Sequence, residues 1–187
     1  LEWHHIHGKL HTNKSLWVFY LQLLHQEGVS EKICAAYEKA FRLKVCSCEM
    51  IIDYTCYLES IGKQEEAFRV FERGIDSFSY PIAYELWNVY LPKIVQFLGP
   101  RKFERIRDLF EQALENCPPE FAINLSIYYG KVEEDYGLAS NAMKIYLSAA
   151  KKADLKNRKR LYLYCIHRTS HLYGLASTRE IFELAIT

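Results

Sequence analysis

The stretch LFEQAL at residues 109–114 decides the fold, because five versions of it occur along the chain. Each version has an apolar residue, then an aromatic residue, then a small residue three positions further on, followed at once by another apolar residue. These offsets lie on one face of an α-helix, where the small residue lets a neighbouring helix approach closely. The aromatic residues are Tyr37, Phe71, Phe110, Tyr146 and Phe182, and the small residues are Ala40, Gly74, Ala113, Ala149 and Ala185.

A second set of repeated positions lies upstream of each of these stretches. Gly28, Gly62, Gly99, Gly137 and Gly174 each follow an amphipathic segment, as a glycine does where it ends a helix in a left-handed conformation. The segments before the glycines contain a further column of apolar and aromatic side chains. That column comprises Trp17 and Tyr20, Ile51 and Tyr54, Trp87 and Tyr90, Leu125 and Tyr128, and Tyr162 and Cys165. Each unit is therefore predicted to be a helix A, a glycine turn and a helix B.

A stack of such units is the predicted fold, because a single helix of about 13 residues is marginal in water and stacked pairs bury their apolar faces together. We predict an all-α protein, an α-α superhelix (right-handed solenoid) of about five repeats in a single fragment over residues 1–187. Pro92 is expected to kink or split the third A helix. The repeats span roughly residues 14–43, 48–77, 82–117, 120–153 and 157–187.

The residues predicted to pack the repeats against each other come from both sets of columns. They are read as core rather than as a stacking platform for RNA bases, because their spacing is that of buried helix faces. They are Trp17, Tyr20, Tyr37, Ala40, Tyr54, Phe71, Gly74, Trp87, Tyr90, Phe110, Ala113, Tyr128, Tyr146, Ala149, Tyr162, Phe182 and Ala185.

The composition and the motif search favour a binding protein over an enzyme. The net charge is +1, so the chain lacks the general positive field of a nucleic-acid binder. It contains no catalytic or nucleotide-binding motif and no apolar run of membrane-spanning length. We therefore expect no catalytic residue, no cofactor, no small-molecule substrate and no membrane contact. The start at Leu1 suggests a piece of a longer protein.

Two groups of residues are candidate metal ligands, and neither has the pattern of a metal site. Cys46-Ser-Cys48 lacks the two-residue gap of a zinc knuckle and has no second half at zinc spacing. His4, His5, His7 and His11 could ligate a metal, but they fit the end of a preceding helix and its loop equally well. The prediction is that the chain binds no metal.

Charged residues give one candidate contact site. Lys156, Arg158, Lys159 and Arg160 follow closely on Lys151 and Lys152 at the predicted join of the fourth and fifth repeats. The cluster fits a contact to phosphate or to an acidic partner, and also a solvated loop and helix start. Between residues 101 and 111, positive and negative side chains alternate at helical offsets, so we expect them to neutralise each other on an exposed face.

The repeat columns resemble a known repeat. Trp17 with Tyr20 and Trp87 with Tyr90, combined with aromatic-Glu-x-Ala in helix B, resemble the half-a-tetratricopeptide (HAT) repeat. Leu147 replaces the glutamate in the fourth repeat. Longer blocks, including residues 101–114, 117–119 and 133–139, resemble the SYF/XPA-binding-protein family of pre-mRNA splicing factors, and the likeness covers residues 8–187.

The resemblance implies a function as well as a fold. It implies a nuclear protein-protein interaction scaffold of the Prp19-associated (nineteen) complex in pre-mRNA splicing, with a link to transcription-coupled repair. Other splicing-complex proteins would be its partners, and any RNA contact would be secondary. The alternatives are an RNA-binding HAT superhelix, or a scaffold in another RNA-processing complex.

Overall fold

The computed structural model describes residues 12–186, and that part of the chain is helical with no β-strand. Two short 3-10 helices, Gly99–Lys102 and Leu175–Thr178, join longer α-helices. No helix in the described part combines the length and the apolarity needed to cross a bilayer. The α-helices are α1 Lys14–Glu27, α2 Ser30–Arg42, α3 Cys48–Ser60, α4 Gln64–Ser77, α5 Ile82–Leu98, α6 Phe103–Glu115, α7 Pro119–Tyr136, α8 Ala139–Lys152, α9 Leu155–Tyr173 and α10 Arg179–Ile186.

The predicted all-α class is confirmed, and each predicted repeat span contains two of these helices. The division into five repeats is still a prediction. The chain forms two compact units, with the boundary between Leu86 and Trp87, inside α5.

In the first unit, the aromatic ring of one B helix stacks on the following A helix. Tyr37 of α2 lies parallel to Tyr54 of α3, with 4.5 Å between the ring centroids. Gly74 of α4 fills the small position of the next repeat, and a Cβ added there would lie 3.0 Å from the side chain of Ile51 in α3. The missing side chain therefore lets α4 approach α3 closely.

The second unit repeats this arrangement. Phe110 of α6 stacks on Tyr129 of α7, with 4.8 Å between the ring centroids. Tyr146 of α8 packs against the backbone of α7, because a Cβ added to Gly130 would lie only 2.1 Å from the tyrosine ring. The same tyrosine ring meets Tyr164 of α9 edge-on, at 5.2 Å.

Most of the predicted packing residues are buried. Tyr128 and Ala149 are only half-buried, and Tyr20, Phe182 and Ala185 are exposed. The buried residues are Trp17, Tyr37, Ala40, Tyr54, Phe71, Gly74, Trp87, Tyr90, Phe110, Ala113, Tyr146 and Tyr162.

The prediction that these five residues are buried is wrong, for two reasons. Tyr20 (49% exposed) lies on α1 and Phe182 (48% exposed) lies on α10, the first and last helices of residues 12–186, so no described helix covers their outer faces. Ala185 is exposed on α10 for the same reason. Tyr128 and Ala149 each lie one residue from the buried position, which Tyr129 and Ala150 occupy. One residue turns a helix face by about 100°.

Of the two outcomes expected at Pro92, a kink or a split of the third A helix, the split does not occur. Pro92 lies inside the continuous helix α5. A proline at this position leaves the carbonyl of Asn88 without its helical partner. Both Asn88 and Pro92 are exposed, so water can reach that carbonyl, while Leu91 and Ile94 hold the opposite face of the helix in the core.

Four of the five glycine turns have the positive φ that was predicted. Their φ values lie between 54° and 86°, at Gly28, Gly62, Gly99 and Gly174. Gly174 combines its positive φ with ψ 170°, so its backbone is extended rather than left-handed helical. Gly137 has φ −114°, outside the left-handed region, so a different constraint operates there.

The repeat column predicts two very different effects of the same substitution. Phe110→Ala removes a fully buried ring and should lower the free energy of unfolding by about 3–5 kcal/mol. Phe182→Ala changes an exposed ring of the same column and should cost less than about 1 kcal/mol. Urea unfolding followed by circular dichroism measures both. Equal losses would contradict the burial difference between α6 and α10.

Because the pKa values of its buried thiols are raised, we expect the folded protein to lose stability at alkaline pH. Burial raises the pKa of Cys46, Cys48 and Cys165 to about 11 each. A thiol in the unfolded chain titrates near pH 8.5, so between these values only the unfolded state loses the proton, and stability falls as pH rises. Under reducing conditions, Cys165→Ala should flatten this fall, and the exposed Cys56→Ala should not. Identical pH profiles of unfolding for all three proteins would refute the explanation.

Candidate interaction surface

An ion pair with a buried carboxylate joins the start of helix α6 to the end of helix α7. Arg107 Nε donates to Glu133 Oε1 at 2.5 Å, and a second guanidinium nitrogen donates to Oε2 at 3.0 Å. Glu133 is only 1% exposed. The hydrogen bond to Glu133 is the main cause of a raised pKa for Arg107, which therefore stays charged. The bidentate geometry gives both oxygens of the buried carboxylate a hydrogen-bond donor. Burying the same carboxylate without a partner would destabilise the folded state.

The surroundings of this ion pair explain the exceptional glycine. A Cβ added to Gly137 would lie 2.1 Å from Glu133 Oε2 and 2.7 Å from the ring of Phe103. The same carboxylate oxygen accepts a hydrogen bond from the Leu138 backbone nitrogen at 3.4 Å. Gly137 is thus required by close packing around the carboxylate.

The expectation that charges between residues 101 and 111 cancel on an exposed face is wrong for Arg107. Its guanidinium does bind Glu104 within the helix at 2.7 Å, but it also lies over the Phe103 ring at 4.6 Å and reaches Glu133. Glu133 is 26 positions away in sequence, so no helical offset reveals it. The sequence signal was an acidic run, residues 133–135, directly before Gly137.

Two further arginines make bidentate pairs with glutamates about one repeat away. Arg73 of α4 donates to both oxygens of Glu38 in α2, at 2.9 and 3.1 Å. Arg168 of α9 binds Glu134 of α7 in the same way, with its Nε at 3.1 Å. These pairs join B helix to B helix in the first unit and A helix to A helix in the second.

A groove opens between α6, α7 and α8, beside the ends of α6 and α8 and the start of α7. It has a volume of about 460 Å³. Exposed Lys144 and Lys152 lie on its rim, together with Glu115. We call it the α6–α8 groove. Its floor and walls are mostly apolar and include Leu114, Pro119, Ala122, Ile123, Ala149 and Ala153.

Exposed basic residues are grouped along α8 and at the start of α9, and they are here named the basic edge; two of them, Lys144 and Lys152, line the groove. Lys144, Lys151 and Lys152 lie at helical offsets along α8, and Lys156, Lys159 and Arg160 do so along α9. Arg160 also lines a second, smaller groove between α7 and α9. Of the four residues predicted as a contact site, Lys156, Lys159 and Arg160 belong to this edge. Arg158 instead donates to the Ala153 carbonyl at 3.4 Å, at the end of α8.

Residues 12–186 contain no group of three or more His, Cys, Asp or Glu side chains arranged to hold a metal ion. The histidines at positions 4, 5, 7 and 11 lie outside the described residues.

Successive helices whose recurring aromatic side chains pack against the neighbouring helices define a helical-repeat protein of the scaffold type. The comparison with protein families then identifies which repeat is present. The chain belongs to the family described as the C-terminal HAT repeat of the pre-mRNA-splicing factors Syf1/CRNKL1, which matches residues 2–187. The predicted HAT and splicing-factor resemblance is confirmed.

Relatives of known name agree with this family. The chain is 45% identical over 178 residues to pre-mRNA-splicing factor SYF1 of Mycosarcoma maydis, covering 95% of the chain and 16% of the relative. It is 39% identical to the syf1 homolog of Drosophila melanogaster, covering 97% of the chain and 20% of the relative. The Schizosaccharomyces pombe pre-mRNA-splicing factor cwf3 is 38% identical, with 95% and 22% covered. The chain thus spans about a fifth of these relatives' length.

Breaking the buried pair should destabilise the second unit. Glu133→Ala leaves the Arg107 guanidinium half-enclosed without its main partner, and should lower the free energy of unfolding by about 3 kcal/mol. Glu66→Ala breaks the exposed pair with Lys63 and should cost less than about 1 kcal/mol. Chemical denaturation of both variants provides the measurement. A Glu133→Ala loss no larger than the Glu66→Ala loss would show that the pair is not structurally required.

Proposed function

We propose that this chain is a protein-binding section of a pre-mRNA-splicing factor, and that it holds other proteins of the Prp19-associated (nineteen) complex in place. The observation that carries the proposal is the family match over residues 2–187. The relatives named above are called pre-mRNA-splicing factors, and each covers nearly the whole of the chain. Because splicing takes place in the nucleus, we propose a nuclear location.

The geometry of the described residues supports a scaffold rather than an enzyme. The buried carboxylate of Glu133 is engaged by Arg107 and by the Leu138 backbone, so it is not available as a general base. Burial raises the pKa of Cys165 to about 11, which keeps the thiol protonated and a poor nucleophile. The Glu133 carboxylate and the Cys165 thiol are therefore part of the helix packing and are not suited to catalysis.

Direct RNA binding is the competing function, and the charge distribution weighs against it as the main role. The whole chain has a net charge of +1, so a general attraction to the phosphate backbone is weak. RNA contact would be restricted to the basic edge. Protein partners can instead use the exposed helix faces along the full length of the chain.

The scaffold proposal predicts the outcome of removing this section from the full-length protein. Tagged full-length protein should co-purify the proteins of the Prp19-associated complex from nuclear extract, and deletion of residues 12–186 should reduce a subset of them at least about tenfold. Quantitative mass spectrometry measures each protein. The recombinant 187-residue chain, added in excess to wild-type extract, should compete for the same subset. Unchanged co-purification in both experiments would contradict the proposal.

A binding assay separates the RNA alternative from the scaffold. Filter binding of the 187-residue chain to single-stranded RNA should show weak affinity. If RNA binding were the main role, the affinity would be strong at low salt and fall steeply as salt is raised.

A further inference from the structure

Positive charge is concentrated in one short segment of the chain. Residues 151–160 contain six Lys or Arg and a single acid, Asp154, a net charge of +5. Since the whole chain carries +1, all its other residues together carry −4. The basic edge is therefore a local feature of the α8–α9 junction and not part of a general positive field.

Helix stability explains only some of these charges. Lys151 and Lys152 lie in the last turn of α8, where the helix dipole favours positive side chains, whereas Lys156 lies in the first turn of α9, where the dipole favours negative ones. The N-cap residue Asp154 makes no capping hydrogen bond through its side chain. Among residues 12–186, no ion pair joins Lys156, Lys159 or Arg160 to an acid. These three side chains are exposed, so their charge is not neutralised within the described residues.

The basic edge borders an apolar surface. Lys144 and Lys152 form part of the rim of the α6–α8 groove, whose walls are aliphatic and small side chains. Leu155 and Leu163, on the same stretch of α9 as the basic residues, are 82% and 55% exposed. An apolar groove with two lysines and one acid, Glu115, on its rim suits a ligand with apolar side chains on one face and mainly carboxylates beside them.

We propose that the α6–α8 groove, with Lys144, Lys152 and the start of α9, binds an amphipathic acidic helix of a partner protein. Apolar side chains of that helix enter the groove, and its Asp or Glu side chains pair with the lysines on the rim. The proposal rests on the proposed function, since it requires a protein partner, and it names where that partner binds and what chemistry it carries.

A protein helix fits this surface better than an RNA strand does. Proteins that bind single-stranded RNA without relying on its sequence stack the bases on exposed aromatic side chains. The exposed apolar residues beside the basic edge are leucines, and the groove walls are aliphatic. The one tyrosine in the groove lining, Tyr129, is buried and stacked on Phe110.

Zero-length crosslinking tests the proposal in the native assembly. A water-soluble carbodiimide joins lysine amines directly to carboxylates, so the full-length protein in its purified complex should yield crosslinks from Lys144, Lys152 and Lys156 to one partner segment. That segment should carry apolar residues at offsets of three, four and seven. Exposed Lys131, on α7, serves as the matched control. Ultraviolet crosslinking of RNA to this surface, or the absence of partner carboxylates from it, would overturn the proposal.

Two variants separate the roles of charge and groove. The pair Lys144→Glu and Lys152→Glu should reduce co-purification of the crosslinked partner at least about tenfold, and the pair Lys14→Glu and Lys131→Glu should not. Ser148→Arg places a long cation at the exposed lip of the groove. It should also reduce binding of an apolar helix, whereas it would strengthen binding of a phosphate chain. Circular dichroism confirms that each variant is folded.

The outcomes distinguish this proposal from the scaffold function on which it rests. If the charge-reversed protein retains all its splicing partners at the wild-type level, the groove is not the binding site and the scaffold role stands. If the wild-type protein itself retains no splicing proteins, the scaffold role fails, and the groove proposal fails with it.

Discussion

Close approach between a B helix and its neighbours is the constraint on which the packing of each unit depends. The B-helix ring stacks on the A helix of the next repeat, as Tyr37 does on Tyr54 and Phe110 does on Tyr129. Within a repeat, a glycine lets helix A and helix B approach each other closely. Gly74 serves this purpose beside Ile51, and Gly130 beside Tyr146. Since each pair of helices supplies only half of such a contact, one hairpin alone cannot bury its aromatic residues.

This constraint explains why much of the fold was predictable from the sequence. Aromatic and small residues that recur at helical offsets mark the buried face without any knowledge of the neighbouring helix. A column position does not, however, determine which of two adjacent residues points inwards. Tyr128 matched the column, but Tyr129 takes the stacking position on Phe110. The column pattern also does not show which helix faces stay uncovered. The outer faces of α1 and α10, which carry Tyr20 and Phe182, have no covering helix in the described residues.

Ion pairs were harder to predict, because their partners lie far apart in sequence and meet only after the helices pack. Arg107 and Glu133 are 26 positions apart, and Arg73 and Glu38 are 35 apart. The local pattern around Arg107 suggested pairing within one helix, and only the fold shows the carboxylate of the next helix beneath it. The role of Gly137 was equally hard to predict. Its position suggested a left-handed turn, but the structure shows that a side chain there would overlap the buried Glu133 carboxylate.

The arginine pairs between helices also bear on how the surface works. Their guanidinium groups already have carboxylate partners within the protein, so less of their charge is available to attract another protein. The lysines of the basic edge have no such acid among the described residues, and their charge remains available. Lysine binds carboxylates without the fixed bidentate geometry of arginine, so a lysine rim can accept acids at varied positions along a ligand. In that arrangement the apolar groove sets where a partner helix lies, and the lysines favour partners that are acidic.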